Sequence, residues 1–235
     1  MIISHEHRFI FVKTRKTAGT SIEVLLSSLI EPDAIVTPIE PPVEGHHPRN
    51  FERPDSLVAT VWNRRNVHAR NDLARDRWFH NHIPARMIRE RLGKRRFESY
   101  YKFAFERDPW DKVVSWFYFR TRNGDTDLGF EEWIQREHLP RDWGKYTIDD
   151  EIAVDFVGRF EHLESDLATA LAAVGLDASG SLTREKGNLR PVAAATPVTH
   201  TEATIARIAE VFHREIAQFG YVAPSLDIDA RGNGR

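Results

Sequence analysis

The chain has 235 residues and no cysteine, which excludes disulfides, thiolate zinc sites and a cysteine nucleophile. A formal net charge of -2 argues against a general nucleic-acid binder, and the lack of cysteine gives an oxidising compartment no support, so we expect a cytoplasmic protein. The N-terminus lacks a signal-peptide pattern, and no stretch reaches the about 20 apolar residues of a membrane span. We expect residues 1–228 to form one domain and 229–235 a flexible tail.

The first predicted strand is 9–12, a short apolar run typical of a parallel strand buried on both faces. A helix follows it, because apolar residues recur at the i, i+3, i+4 and i+7 spacing of a helix packed on a sheet: Ile22, Leu25, Leu26 and Leu29. The polar turn 13–21 joins the two and ends at the start of the helix.

The next two segments carry weaker patterns. Residues 31–55 are rich in proline, which predicts an irregular and mobile loop. Between Val61 and Tyr100, eleven Lys and Arg stand against four acidic residues. This basic segment is interpreted either as a solvated helical face or as an electrostatic funnel for an anionic ligand.

A second strand-to-helix junction is predicted after the strand 103–105. Asp108 is the expected N-cap and Pro109 the first helical residue. The helix carries an apolar stripe on Trp110, Val113, Val114 and Phe117, and Ser115 falls nearly opposite that stripe, where it can face a ligand.

Later elements repeat this alternation. A third strand is predicted near 156–160, followed by a helix from about Leu163 to Val174 that Gly175 closes. A capping box at Thr199–Glu202 predicts a last helix that ends at Gly220. Strands that alternate with helices predict an α/β fold with a mostly parallel sheet flanked by helices on both faces.

The turn 13–21 has the physical character of a phosphate cradle. Backbone N–H groups converge at a helix N-terminus, and the helix dipole favours an anion there. Gly19 allows close approach, Thr20 and Ser21 add hydroxyl donors, and Lys16 adds a positive charge. Lys16 precedes Gly19, however, whereas the lysine of nucleotide-triphosphate loops follows the last glycine. A kinase with a degenerate phosphate loop is therefore the alternative interpretation.

Two motifs together resemble the sulfotransferases that use 3′-phosphoadenosine 5′-phosphosulfate (PAPS). The stretch 15–21, RKTAGTS, is similar to their 5′-phosphosulfate loop, and 105–115, FERDPWDKVVS, is similar to their 3′-phosphate motif. The resemblance continues weakly to the end of the chain and is nearest to the bacterial, carbohydrate-type branch. Arg15 stands where that family usually has proline, and Asp108 where it often has asparagine.

The resemblance implies a P-loop-like fold, PAPS as donor, 3′-phosphoadenosine 5′-phosphate (PAP) as product, and no metal. Lys16 would stabilise charge on the departing PAP, and Arg107 with Ser115 would bind the 3′-phosphate. The 5′ side of the donor would be held by the loop residues Arg15, Lys16, Thr17, Ala18, Gly19, Thr20 and Ser21. A late basic cluster would fold over the 3′-phosphate or form an exposed loop: Arg184, Lys186, Asn188 and Arg190. The acceptor would be a hydroxyl, and the branch implies that this hydroxyl belongs to a glycan or glycolipid.

A general base is needed to take the proton of the attacking hydroxyl, and histidine suits this at neutral pH. His82 and His80 both precede a helix that Pro84 opens and Gly93 closes, and His82 matches the histidine of related bacterial sequences better. Glu23 is the next candidate. The two histidines could instead make structural hydrogen bonds, or form half of a metal site completed by His46, His47 or His68.

Overall fold

The computed structural model describes residues 1–52, 78–122, 124, 128–177 and 198–226. The chain divides into two compact units. The first comprises Met1–Glu106 with Asp142–Gly187, and the second Arg107–Arg141 with Asn188–Arg235. The single domain expected over 1–228 stays a prediction, and the expected tail 229–235 lies outside the described residues.

The described strands and helices are as follows. The strands are β1 (Ile2–Ser4), β2 (Phe9–Val12), β3 (Ile35–Val36), β4 (Tyr101–Glu106), β5 (Thr147–Ile148), β6 (Glu151–Ile152) and β7 (Phe156–Arg159). The helices are α1 (Gly19–Leu29), α2 (Ala85–Leu92), α3 (Lys94–Ser99), α4 (Pro109–Thr121), α5 (Phe130–Arg136), α6 (Trp143–Tyr146), α7 (Leu163–Ala172), α8 (Glu202–Val211) and α9 (His213–Phe219). None of the helices in the described residues is long and apolar enough to cross a membrane.

The described part of the first unit holds a five-stranded sheet in the order β3-β1-β2-β4-β7. β2, β4 and β7 run parallel, with Val12 opposite Ala104 and Ala104 opposite Val157. β1 runs antiparallel to both β2 and β3. The carboxyl ends of β2 and β4 therefore lie side by side at one edge, which is where α/β proteins bind their ligands.

Helices cover both faces of this sheet. On one face, apolar residues of α1 and α7 pack against the strands in a single core: Ile22, Leu26, Leu167 and Leu171 against Phe9, Phe11, Phe103 and Phe105. On the other face, the Lys102 ammonium of β4 lies 5.4 Å from the ring centre of Phe97 in α3. The predicted α/β class, with a mostly parallel sheet flanked by helices, is confirmed.

The expectation of an irregular loop over 31–55 is wrong in one respect. Within it, β3 pairs with β1 through Val36 opposite Ile2. The guanidinium of Arg49 holds the segment down by donating to the carbonyls of Ile30 and Glu31 at 3.2 and 3.0 Å. Two residues are too few to give a strand period in the sequence, so the pairing follows from the neighbouring strand β1, against which β3 forms an edge of the sheet.

The second unit is built on helices. Trp110 and Val113 of α4 are buried against Phe130 and Trp133 of α5 and Ile208 of α8, which confirms the predicted apolar stripe. The late helix is in fact broken at Phe212 into α8 and α9, and Gly220 ends α9 at a φ of 66°.

The capping box of α8 lies two residues later than predicted. Thr201, not Thr199, is the N-cap, and Thr204 rather than Glu202 completes the box. The Thr201 N–H donates to the Thr204 hydroxyl at 2.9 Å, and the Thr204 N–H donates to the Thr201 hydroxyl at 3.3 Å. A hydroxyl at N3 therefore does what Glu or Gln does in the usual pattern.

Candidate functional site

The loop 13–21 is anchored to the edge of the sheet from within. The Thr14 hydroxyl donates to the carbonyl of Phe105 at the end of β4. The hydroxyls of Thr14 and Thr17 are 2.8 Å apart, and both residues are buried. These contacts tie the loop to the neighbouring parallel strand, so its shape is set before any ligand arrives.

The helix that follows the loop begins without a side-chain cap. Ala18 occupies the N-cap position at a φ of 58°, and its methyl group cannot accept a hydrogen bond. Lys16 is also in the left-handed region, at a φ of 62°. The first intrahelical bond runs from the Ile22 N–H to the Ala18 carbonyl, at 3.1 Å. The backbone N–H groups of residues 19–21 precede this bond, and such groups form an anion site at a helix start.

Gly19 is required here by packing. A Cβ at this position would lie 2.8 Å from Cγ of Lys13, because the buried Lys13 side chain passes directly beneath the loop. The Lys13 ammonium donates to the Glu23 carboxylate at 2.5 Å. The same carboxylate also contacts the amino group of Met1. Glu23, the reserve candidate for the base, is fully buried and engaged in this ion pair.

His82 contacts the loop directly. Its Nδ1 lies 3.1 Å from the Lys13 carbonyl. Since a carbonyl can only accept, Nδ1 carries the proton, and Nε2 keeps a lone pair. Burial, and next the positive charge of Lys13, hold the pKa of His82 well below its usual value. His82 is therefore neutral at physiological pH and has an acceptor nitrogen to offer.

His80 lies two residues away and is held differently. Its Nδ1 is 3.0 Å from the Asn81 carbonyl, a contact within the same turn. His82 has a φ of 59°, so the turn that carries both residues is tightly bent. The structure thus ties His82, rather than His80, to the loop 13–21 by a described hydrogen bond.

A buried aspartate that the sequence analysis did not single out also holds the loop. Asp142 accepts from the Arg15 N–H at 2.8 Å, and its second oxygen lies 3.7 Å from the Arg15 guanidinium. Burial, and then the charge of Arg15, lower the pKa of Lys145, whereas the charge of Asp142 raises it. No sequence pattern links residues 127 positions apart, so only the structure identifies this clamp.

At the second junction, in the second unit, neighbouring side chains cap the helix and hold the arginine. Asp108 caps α4 by accepting from the Asp111 N–H at 2.9 Å, and Pro109 stands in the first turn, as predicted. The Arg107 Nε donates to Asp111 at 2.7 Å, and a second guanidinium nitrogen contacts the same oxygen. Ser115 is half-buried on α4, one turn after Asp111 and on the same face of the helix.

Several expected residues lie outside the described part of the chain. These are Arg184, Lys186, Asn188, Arg190 and His68. Among the described residues no group of three or more His, Cys, Asp or Glu side chains is arranged to hold a metal ion. In the described part of the basic segment, Arg86, Arg89 and Lys94 form surface ion pairs with glutamates at 3.5, 3.2 and 3.8 Å, which favours a solvated face there.

The fold and the first junction define an α/β protein with an uncapped helix start at the carboxyl edge of a mostly parallel sheet. Residues 1–222 match the model of the sulfotransferase family, and the chain belongs to that family. This membership supports sulfuryl transfer in general and favours it over the kinase alternative.

Two individual proteins are similar to the chain. An uncharacterized protein of Archaeoglobus fulgidus is 37% identical over 100 residues, which make up 40% of this chain and 83% of that protein. The crystal structure of a sulfotransferase from Alicyclobacillus acidocaldarius is 18% identical with a TM-score of 0.41, covering 91% of this chain and 98% of that one.

Proposed function

We propose that this sulfotransferase takes the sulfuryl group of PAPS and transfers it to the hydroxyl of a carbohydrate or glycolipid acceptor, releasing PAP. The observation that carries this proposal is the uncapped start of α1, which follows a rigidly anchored loop that also presents Lys16. Such a site suits a compact anion with several oxygens, as at the 5′-phosphosulfate end of PAPS.

The 5′ side of the donor is bound by the loop in this proposal. The N–H groups of residues 19–21 and the Thr20 hydroxyl donate to its oxygens. Lys16 neutralises the charge that grows on the bridging oxygen as the sulfur–oxygen bond breaks. Thr17 is buried and acts by shaping the loop, and Arg15 lies half-exposed at its entrance with its backbone fixed by Asp142.

The 3′-phosphate is bound by Arg107 and Ser115, with Arg190 as a further ligand. Asp111 holds the Arg107 guanidinium by two of its nitrogens, which fixes the plane of the fork. A guanidinium pre-oriented in this way suits phosphate oxygens, and a charge-assisted bond of this kind is worth about 1.5–3 kcal/mol. This contact would distinguish the donor from ordinary adenine nucleotides.

His82 is the general base in the proposed reaction. Its Nε2 lone pair takes the proton of the acceptor hydroxyl as that oxygen forms a bond to sulfur. The bond between sulfur and the 5′-phosphate oxygen breaks, and its electron pair leaves with PAP. Sulfuryl transfer, like phosphoryl transfer, needs alignment and charge stabilisation more than covalent help from the protein. The resemblance implies that no metal takes part, and the cytoplasmic location stays a prediction.

Calorimetric titration with PAP and with adenosine 5′-phosphate tests this proposal. We expect PAP to bind about 10- to 150-fold more tightly, which corresponds to the 1.5–3 kcal/mol of one charge-assisted contact. Equal affinities would refute the assignment of PAPS as donor. Sulfate transfer should also persist in EDTA, and a loss that magnesium restores would contradict the metal-independent mechanism.

A further inference from the structure

Lys13 is the first residue after β2 and is 3% exposed. A buried ammonium is costly unless it is paired and hydrogen-bonded. Glu23, fully buried one helical turn into α1, supplies that partner at 2.5 Å. The ion pair therefore links the end of β2, which precedes the loop 14–18, to α1, which follows it.

The same lysine contacts the site at two other points. Its backbone carbonyl lies 3.1 Å from the His82 Nδ1. Its side-chain stem fills the space beneath Gly19, where a Cβ would come within 2.8 Å of the Lys13 Cγ. One residue thus touches the helix start, the loop and the histidine.

We propose that Lys13 is a positioning residue of this site: its carbonyl orients the His82 ring with Nε2 as acceptor, and its ammonium, held by Glu23, is a fixed positive charge beneath the loop that this ring contacts. The inference rests on the proposed function only in taking His82 as the base. Lys13 itself touches neither donor nor acceptor in this account, because its side chain is buried beneath the loop.

The electrostatics around His82 agree with this geometry. Burial is the largest cause of its lowered pKa, and Lys13 is the next. The amino group of Met1 and the guanidinium of Arg15 act in the same direction, whereas the hydrogen bond to the Lys13 carbonyl raises the pKa. Lys13 also faces Glu23. Burial, and next the charge of Lys13, lower the pKa of His46 to about 4. Removing the Lys13 charge should therefore raise the pKa of His82.

The Lys13→Met variant tests the proposal, because it keeps the stem and the carbonyl and removes the charge. The pKa of His82 is read by NMR titration of the substrate-free protein. We expect it to rise by about 1 unit, the usual size of the effect of one neighbouring charge. At pH values below neutral, the kcat of the variant should then be up to about 10-fold lower than that of the wild type, with PAP affinity unchanged. If the single variant does not fold, Lys13→Gln removes the charge, keeps the carbonyl and retains an amide donor toward Glu23, so the His82 pKa is read in the same way.

The matched control is Lys102→Met, which removes another buried lysine paired with a carboxylate, Asp155, at 2.7 Å. It should leave the His82 titration unchanged. An unchanged His82 pKa in Lys13→Met, with the preference for PAP over adenosine 5′-phosphate intact, would overturn this inference and leave the proposed function standing. Loss of that preference in the wild type would instead refute the proposed function.

Discussion

The loop that leads from β2 into α1 and the turn that leads from β4 into α4 both carry a basic residue just after a buried parallel strand. They differ in how the helix begins. At the first junction Ala18 provides no cap, and two residues adopt a positive φ. At the second, Asp108 caps the helix, Pro109 removes one N–H, and Asp111 holds Arg107.

The difference indicates two ways to bind an anion after a strand. The first junction leaves backbone N–H groups for the ligand and fixes the loop from beneath with Lys13 and Glu23. The second caps its helix with Asp108 and offers a side chain, Arg107, whose orientation is set by a neighbouring carboxylate. Changes at the first junction should therefore affect turnover most, and changes at the second should affect nucleotide selectivity.

The largest effect is expected for His82→Asn. Asparagine tolerates the left-handed backbone and can still donate to the Lys13 carbonyl, but it cannot take a proton. The rate of sulfate transfer should fall by about 10² to 10⁴, with PAP affinity unchanged. A loss of this size in His80→Asn, with none in His82→Asn, would move the base to His80.

The pH dependence of the wild type gives the same assignment a second check. Because the pKa of His82 is lowered, the neutral base persists as the pH falls through 6.5. The rate should therefore stay level past that point and decline only at lower pH. A decline centred at or above pH 6.5 in a kcat profile would contradict this prediction.

Lys16→Ala should reduce turnover by about 10² to 10³, the usual loss for one group that stabilises transition-state charge. The midpoint of thermal unfolding should change little, since Lys16 lies in a half-exposed loop. Lys94→Ala is the matched control, because Lys94 is exposed and pairs with Glu98 at 3.8 Å on the surface. Normal turnover in Lys16→Ala with the donor bound would remove Lys16 from the mechanism.

Arg107→Ala should lower the preference for PAP over adenosine 5′-phosphate by about 10- to 150-fold, because it removes one charge-assisted contact. Calorimetric titration of both nucleotides measures this ratio. Arg120→Ala changes an exposed arginine of the same helix, 3.9 Å from Glu137, and should leave the ratio unchanged. A ratio that survives in Arg107→Ala would place 3′-phosphate recognition elsewhere.

The smallest effect is expected for Asp108→Ala, which removes the N-cap of α4. Loss of an N-cap typically costs about 1 kcal/mol of stability, which chemical denaturation can measure. Turnover per folded molecule should remain close to that of the wild type. A large drop in turnover without loss of stability would mean that Asp108 contacts a ligand and does more than cap the helix.

Local patterns predicted those elements whose neighbours are close in sequence. The run 9–12 is buried on both faces, and the helix 109–121 begins with the Asp108 cap that its sequence indicates. The sequence patterns did not indicate β1 and β3, because two or three residues carry no measurable period and their pairing depends on strands that the fold places beside them. The capping box was misplaced by two residues because Thr204 took the role expected of Glu202.

Spacing within one turn or one strand was enough to predict the α/β class, the two strand-to-helix junctions and the candidate residues on them. Only the folded chain shows which hydrogen bonds and ion pairs hold those residues in place. Lys13 is bound to Glu23 and to His82, and Arg15 is bound to Asp142, across separations of 10, 69 and 127 positions. A buried charge must find its partner wherever the fold brings one, and no local pattern records that choice.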